Sequence, residues 1–123
     1  MKLKLASTFL DLDGNDMKNE KGQILTLYEV LRMAVTMELP EDTKEGVASV
    51  ENKMKNFDMY LEINKLGKEG ELEITSDQAT YLKPRVAKMY TVLIAGPLLK
   101  MLDGKLPYGE PVVKLAVDNT TKE

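Results

Sequence analysis

Residues 26–40 read Thr-Leu-Tyr-Glu-Val-Leu-Arg-Met-Ala-Val-Thr-Met-Glu-Leu-Pro, and at Thr26 the apolar pattern of the chain changes from period two to the helical period. Thr26 and Glu29 have the spacing of a capping box, in which the Thr hydroxyl accepts from the amide three residues on and the Glu carboxylate reaches back. Leu27, Val30, Leu31, Ala34 and Met37 then recur three and four apart. Leu39-Pro40 ends the helix, because proline disfavours helical geometry in the residue before it. Upstream, Leu3, Leu5, Leu10 and Leu12 alternate with polar neighbours, as half-buried strands do. Asp13-Gly14 and the polar stretch 18–22 are turn signals between them. A small antiparallel meander leading into a helix is the result.

Beyond the polar stretch 41–46, Val47, Val50, Met54, Phe57 and Leu61 fall on one helical stripe, and Gly67 supplies a left-handed cap at its end. Glu69, Glu71 and Glu73 alternate with Leu72 and Ile74 in a strand pattern, after which Thr75 or Ser76 can cap a further helix, with Asp77 or Gln78 in its first turn. Pro84 is expected to kink or split the helical run 79–94. Gly96-Pro97 is expected to break it again, with Pro97 opening a short helix that ends at Gly104. The predicted fold is α+β: a small N-terminal antiparallel β-meander packed against three to five helices, with 112–117 a candidate C-terminal strand joining the sheet. Leu27, Val30, Leu31, Val50, Met54, Phe57 and Leu61 are the expected core. No repeat or composition break divides the chain, so residues 1–118 are expected to form one domain and 119–123 a frayed tail.

Composition narrows the chemistry. The 123 residues include no Cys and no His, which removes the usual ligands of zinc, haem and iron-sulfur centres and the usual general base near neutral pH. Neither metal nor cofactor is expected. Absent cysteines favour the cytoplasm over an oxidising compartment, and residues 1–7 lack the apolar core of an export signal. The longest nearly apolar run, 89–99, is about half a bilayer span, so no membrane is expected. With 17 basic and 20 acidic residues, and arginine only at 32 and 85, the charge footprint disfavours direct nucleic-acid binding.

One segment invites a catalytic reading. Phe9-Leu10-Asp11-Leu12-Asp13-Gly14-Asn15 resembles the first motif of haloacid-dehalogenase-like phosphatases, where the first Asp is the nucleophile and the second the acid-base. That family usually has Thr where Asn15 stands, and here turns follow rather than a helix. We therefore read Asp11 and Asp13 as turn residues and expect no enzyme. The same segment fails as a calcium loop, since its sixth and twelfth positions hold Asp16 and Gly22 rather than Gly and Glu.

The remaining candidates are binding residues. Glu71 and Glu73 lie on an acidic strip suited either to a basic partner or to a solvated edge. Met59 and Tyr60 fall off the main stripe of their helix and are candidates for an exposed apolar contact. Lys83, Arg85 and Lys88 near a helix end would suit an anionic ligand such as a nucleotide. Residues 41–73 carry nine acids against five lysines, and 74–123 five acids against seven bases. With Met59 and Tyr60, this asymmetry suggests a homo-oligomer, most simply a dimer.

Taken in order, Leu10 to Gly14, the polar turn ending at Gly22, Leu25-Thr26-Leu27 with Val30-Leu31, the acidic-to-helix step 71–78, and Val86 to Met101 resemble small proteins of tailed bacteriophages and prophages that have no settled activity. The resemblance covers about the first 104 residues. It implies the cytoplasm of a phage-infected or lysogenic bacterium, and it carries no catalytic residues. The expected function is a non-catalytic accessory protein that binds a host or phage macromolecule as inhibitor, adaptor or assembly factor. The alternatives are a binder of an anionic small molecule, or a structural or replication component of a phage.

Overall fold

The computed structural model describes residues 1–40 and 47–109. The expected loop at 41–46, the candidate strand at 112–117 and the tail lie outside them. The fold is α+β: strand β1 (Lys2–Lys4), helices α1 (Leu27–Thr36) and α2 (Val47–Leu66), strand β2 (Glu71–Glu73), and helices α3 (Ser76–Met89) and α4 (Val92–Leu102). The sheet is an antiparallel pair of β1 with β2, in the register Lys2 to Glu73, Leu3 to Leu72 and Lys4 to Glu71. Opposite charges thus face each other at both ends of the ladder, and the two leucines turn inward, both buried. The Met1 ammonium donates to Glu73 at 2.7 Å, and this hydrogen bond holds the Glu73 carboxyl below its ordinary range.

The meander expected before Thr26 is not a continuous sheet. Three short arms are joined by single antiparallel bridges, Thr8 to Thr26, Leu10 to Asp16 and Lys18 to Ile24. The arms are linked by two turns built alike. Asp11 Oδ1 accepts from the amides of Asp13 (2.9 Å) and Asn15 (3.0 Å), and the Asp11 amide donates to the Asn15 carbonyl at 2.8 Å. Eight residues on, Asn19 Oδ1 accepts from Lys21 (2.9 Å) and Gln23 (3.0 Å), and its amide donates to the Gln23 carbonyl at 2.8 Å. The fourth residue of each turn has positive φ, +80° at Gly14 and +78° at Gly22, which an L side chain adopts only with strain. Each turn satisfies its backbone with its own Asx side chain, so these arms need little ladder. Phe9, Met17 and Leu25 repeat with the same spacing. Phe9 and Leu25 are buried, and Met17 packs against the core.

Helix α1 begins where expected. Thr26 Oγ1 accepts from the Glu29 amide at 3.4 Å, but the Glu29 carboxylate accepts from Asn19 Nδ2 at 3.1 Å and joins α1 to the second turn. The complete capping box is at α3, where Thr75 Oγ1 accepts from the Gln78 amide at 3.1 Å and Gln78 Oε1 from the Thr75 amide at 2.8 Å.

The split expected at Pro84 and the break expected at Gly96-Pro97 both need correction. Helix α3 runs through Pro84 unbroken to Met89, and α4 contains Gly96 and Pro97 rather than starting at them. Pro84 and Thr80, whose carbonyl loses its helical donor, are both exposed, so water can serve it while Leu82 and Val86 bury the opposite side. The chain breaks instead at Tyr90 and Thr91. Tyr90 leaves the helix in an extended conformation, and its hydroxyl donates to the Val30 carbonyl at 2.7 Å.

Helix α2 carries the largest departure. Leu27, Val30 and Leu31 are buried as expected, but Val50, Met54, Phe57 and Leu61 are exposed. The face that enters the core is Asn56, Met59 and Ile63, with Tyr60 half-buried beside them. Met59 is therefore a core residue rather than an exposed contact. Its helix carries two apolar faces, and the one with the fewer large side chains meets the protein.

Candidate interaction surface

The outer face of α2 presents Val50, Met54, Phe57 and Leu61 at fractional exposures of 58, 63, 58 and 49 %. These residues are spaced four, three and four apart and share one stripe along about three turns of helix. Scattered exposed apolar residues are ordinary on soluble proteins, whereas four large ones in line on one helix make a single contiguous patch. No described residue covers them. The Phe57 ring stacks on Tyr60 with centroids 6.2 Å apart, and Tyr60 leads the stripe toward α1.

Where α2 passes the end of α1, a cleft of about 310 Å³ opens between Val35, Met37, Asn56, Phe57 and Tyr60. Lys53 and Glu38 close its rim in an exposed ion pair of 3.6 Å. Buried Asn56 is fixed by the Tyr81 hydroxyl, which donates to its Oδ1 at 2.8 Å. The stripe and the cleft form one apolar surface with a charged margin.

Arg85 positions this surface from below. It is 2 % exposed, its Nε donates to the Ala34 carbonyl at 3.1 Å, and its Nη2 donates to the Met37 carbonyl at 2.8 Å. Helix α1 has no basic residue in its own last turn, so a cation borrowed from α3 satisfies its C-terminal carbonyls. Arg85 is thus a structural cap and not an exposed ligand. Lys83 pairs with Asp103 at the end of α4 and holds that carboxyl below its ordinary range. Lys88 is exposed near the end of α3. The three cations expected to form one anion site therefore have separate surroundings.

Glu71 and Glu73 are exposed, yet they lie across from Lys4 and Lys2 of the chain's own first strand. The acidic strip already has a basic neighbour. Asp11 and Asp13 belong to the first turn, as described above. Among the described residues no group of three or more acidic side chains is placed to hold a metal ion, and no helix is long and apolar enough to cross a membrane.

Reading the sequence for exposed positions missed the stripe because its residues looked like core. The signal was there in the second apolar face of α2, formed by Met59 and Ile63, which is sufficient to bury the helix. A larger cleft, of about 630 Å³, lies beside the second turn and is lined in part by Lys18, Lys21, Arg32, Lys68 and Glu29. Arg32 stacks there over the rings of Tyr28 (5.0 Å) and Tyr60 (5.9 Å), with its Nε buried and without a hydrogen-bond partner among the described residues. The chain matches no protein-family model, no curated protein and no solved structure.

Proposed function

We propose that this chain is a non-catalytic interaction protein, an accessory factor of a phage or prophage acting in the bacterial cytoplasm, and that it works through the outer face of α2. One observation carries the reading: Val50, Met54, Phe57 and Leu61 stand in line and exposed on a helix whose other face is already in the core. Removing apolar surface from water is the dominant favourable contribution to most protein–protein association. The resemblance to small phage proteins supplies the setting. The Asx turn at Asp11 supports the non-catalytic half, because that carboxylate is engaged by two backbone amides rather than aimed at a substrate.

The test is capture from lysates of bacteria with and without phage, using the wild-type chain and a Met54→Glu/Phe57→Glu variant of unchanged circular dichroism. A stoichiometric protein retained by the wild type and lost by the variant supports the proposal. Equal retention by both forms places the interface elsewhere and refutes it. A magnesium-dependent phosphatase activity abolished by Asp11→Asn would overturn the non-catalytic half.

A second reading, binding of an anionic small molecule such as a nucleotide, draws on Arg32. Its buried, unbonded Nε lies in the larger cleft with three lysines. Protection of the chain against thermal unfolding by inorganic phosphate or a nucleotide, lost in Arg32→Met, would favour it.

A further inference from the structure

Resting on the reading of α2 as an interface, we propose that the outer face is occupied by a second copy of this chain, the two α2 helices packing as a short parallel coiled coil. The spacing of 50, 54, 57 and 61 alternates four and three, which assigns Val50 and Phe57 to the d positions and Met54 and Leu61 to the a positions of a heptad. Asn64 takes the next d position, its Oδ1 accepting from the Tyr28 hydroxyl at 3.3 Å, and ends the apolar run.

The flanking residues select both the occupant and its direction. In a parallel pair, each g position meets the e position five residues further along the other helix. Lys53 (g) then faces Asp58 (e) of the second copy, and Tyr60 faces Lys65 of the second copy; both contacts occur twice about the two-fold axis. An antiparallel pair with the stripe fully overlapped instead sets Glu51 against Asp58 of the second copy, acid against acid, also twice. One helix therefore carries both halves of a charge pair that closes in the parallel arrangement, Lys53 turning to it from its exposed 3.6 Å pair with Glu38. The opposite charges belong to this chain, so its own copy is the complementary partner.

The size of the patch sets the strength. Four large apolar side chains, each half to two thirds exposed, present roughly 400 Å² per copy, comparable with the largest patch of an ordinary monomer. Doubled, this falls below the roughly 1,600 Å² of a standard stable interface, so the dimer is reversible.

The experiment is sedimentation of the full chain from about 5 to about 500 µM, a range spanning the affinity of a small interface. The mass should rise from 13.8 kDa toward twice that value. Met54→Glu should hold the monomer mass throughout with an unchanged helical spectrum. Asp58→Lys should weaken association about tenfold, and adding Lys53→Glu should restore it, since the pair is then reversed rather than lost. Because the chain has no cysteine, Val50→Cys gives a single thiol, which should oxidise to a covalent dimer because a d position faces itself across a parallel two-fold axis. A monomer at every concentration overturns the inference and leaves the docking proposal to the lysate capture. A dimer indifferent to Met54→Glu, a dimer that Val50→Cys does not cross-link, or a charge reversal that fails to restore association also overturns it.

Discussion

Arg85→Met tests the organisation of the surface through a residue that does not touch it from outside. The guanidinium contributes two hydrogen bonds to carbonyls at the end of α1, 3.1 Å to Ala34 and 2.8 Å to Met37, and its carbon lies 5.7 Å from the centre of the Tyr81 ring. Hydrogen bonds to a charged donor are worth about 1.5–3 kcal/mol each, and a buried carbonyl left without a donor costs about 1–3 kcal/mol. Against this, the variant no longer has a cation to desolvate, and methionine keeps much of the packing volume. The net expectation is a loss of about 3 kcal/mol, or roughly 10 °C in melting temperature for a chain of this length. Arg85→Lys should lose about half as much, because an ammonium keeps the charge but cannot span both carbonyls as the planar fork does. Urea denaturation followed by circular dichroism measures the loss, with Lys100→Met, at an exposed site, as the reference. Hydrogen exchange should locate the damage in the last turn of α1, where the Met37 amide donates to the Met33 carbonyl. A midpoint shift no larger than that of the reference would refute the assignment of Arg85 as the cap of α1. The consequence reaches the cleft beside α2, because Val35 and Met37 line it and depend on this turn.

Three further outcomes are expected. Met59→Glu should destabilise the fold by about 3–4 kcal/mol by placing an unpaired charge in the core, while Met54→Glu stays within about 0.5 kcal/mol; melting curves in the reverse order would mean that α2 faces the other way. Burial, aided by the Glu29 charge, pushes the Tyr90 phenol up to about 12 from an ordinary 10, so its contribution to stability is whole below pH 10 and lost as pH rises from 10 to 12. The stability difference between the wild type and Tyr90→Phe should shrink across that window, and the alkaline absorbance change that Tyr90→Phe removes should fall toward its upper end. Asp11→Ala and Asn19→Ala should each cost about 1 kcal/mol in urea denaturation, because each removes one acceptor shared by two turn amides; indifference at both sites would remove the Asx side chains as the organisers of the turns.

Much of the fold is legible where a single physical preference acts alone. Thr26 and Thr75 start helices because a hydroxyl beside unsatisfied amides has few competitors, and Gly67 ends α2 with φ +74° for the complementary reason. The pairing of Lys2–Lys4 with Glu71–Glu73 was also within reach. Lys-Leu-Lys and Glu-Leu-Glu are complementary in charge and identical in pattern, but local preference does not set either against a partner some seventy residues away. The turns hid in the same way. Asp11 and Asn19, Gly14 and Gly22, and Phe9, Met17 and Leu25 repeat at a spacing of eight, which is legible only once the segments are superposed. Proline misled at Pro84 and Pro97 because its local cost is fixed, whereas the compensating burial of Leu82, Val86, Leu98 and Met101 is tertiary.

Helix α2 departs from expectation for a different physical reason. Periodicity finds an apolar face but cannot say what that face touches. A helix with one apolar stripe must bury it in its own domain. A helix with two has to present one of them elsewhere, and the stronger stripe need not be the inner one. In α2 the inner face is completed by other parts of the chain: Met59 and Ile63 belong to the cluster built by Leu27, Leu31 and Leu72, while buried Asn56 is held by Tyr81. The outer face, richer in large side chains, receives no such completion from any described residue. An outward stripe that adds nothing to the monomer's core and carries the aggregation risk of exposed apolar surface is best accounted for by a contact that covers it. Hence the residues that mark the stripe are those that a reading by composition assigns to the interior, while Asp11, Glu73, Lys83 and Arg85, which looked functional, are engaged in holding the fold.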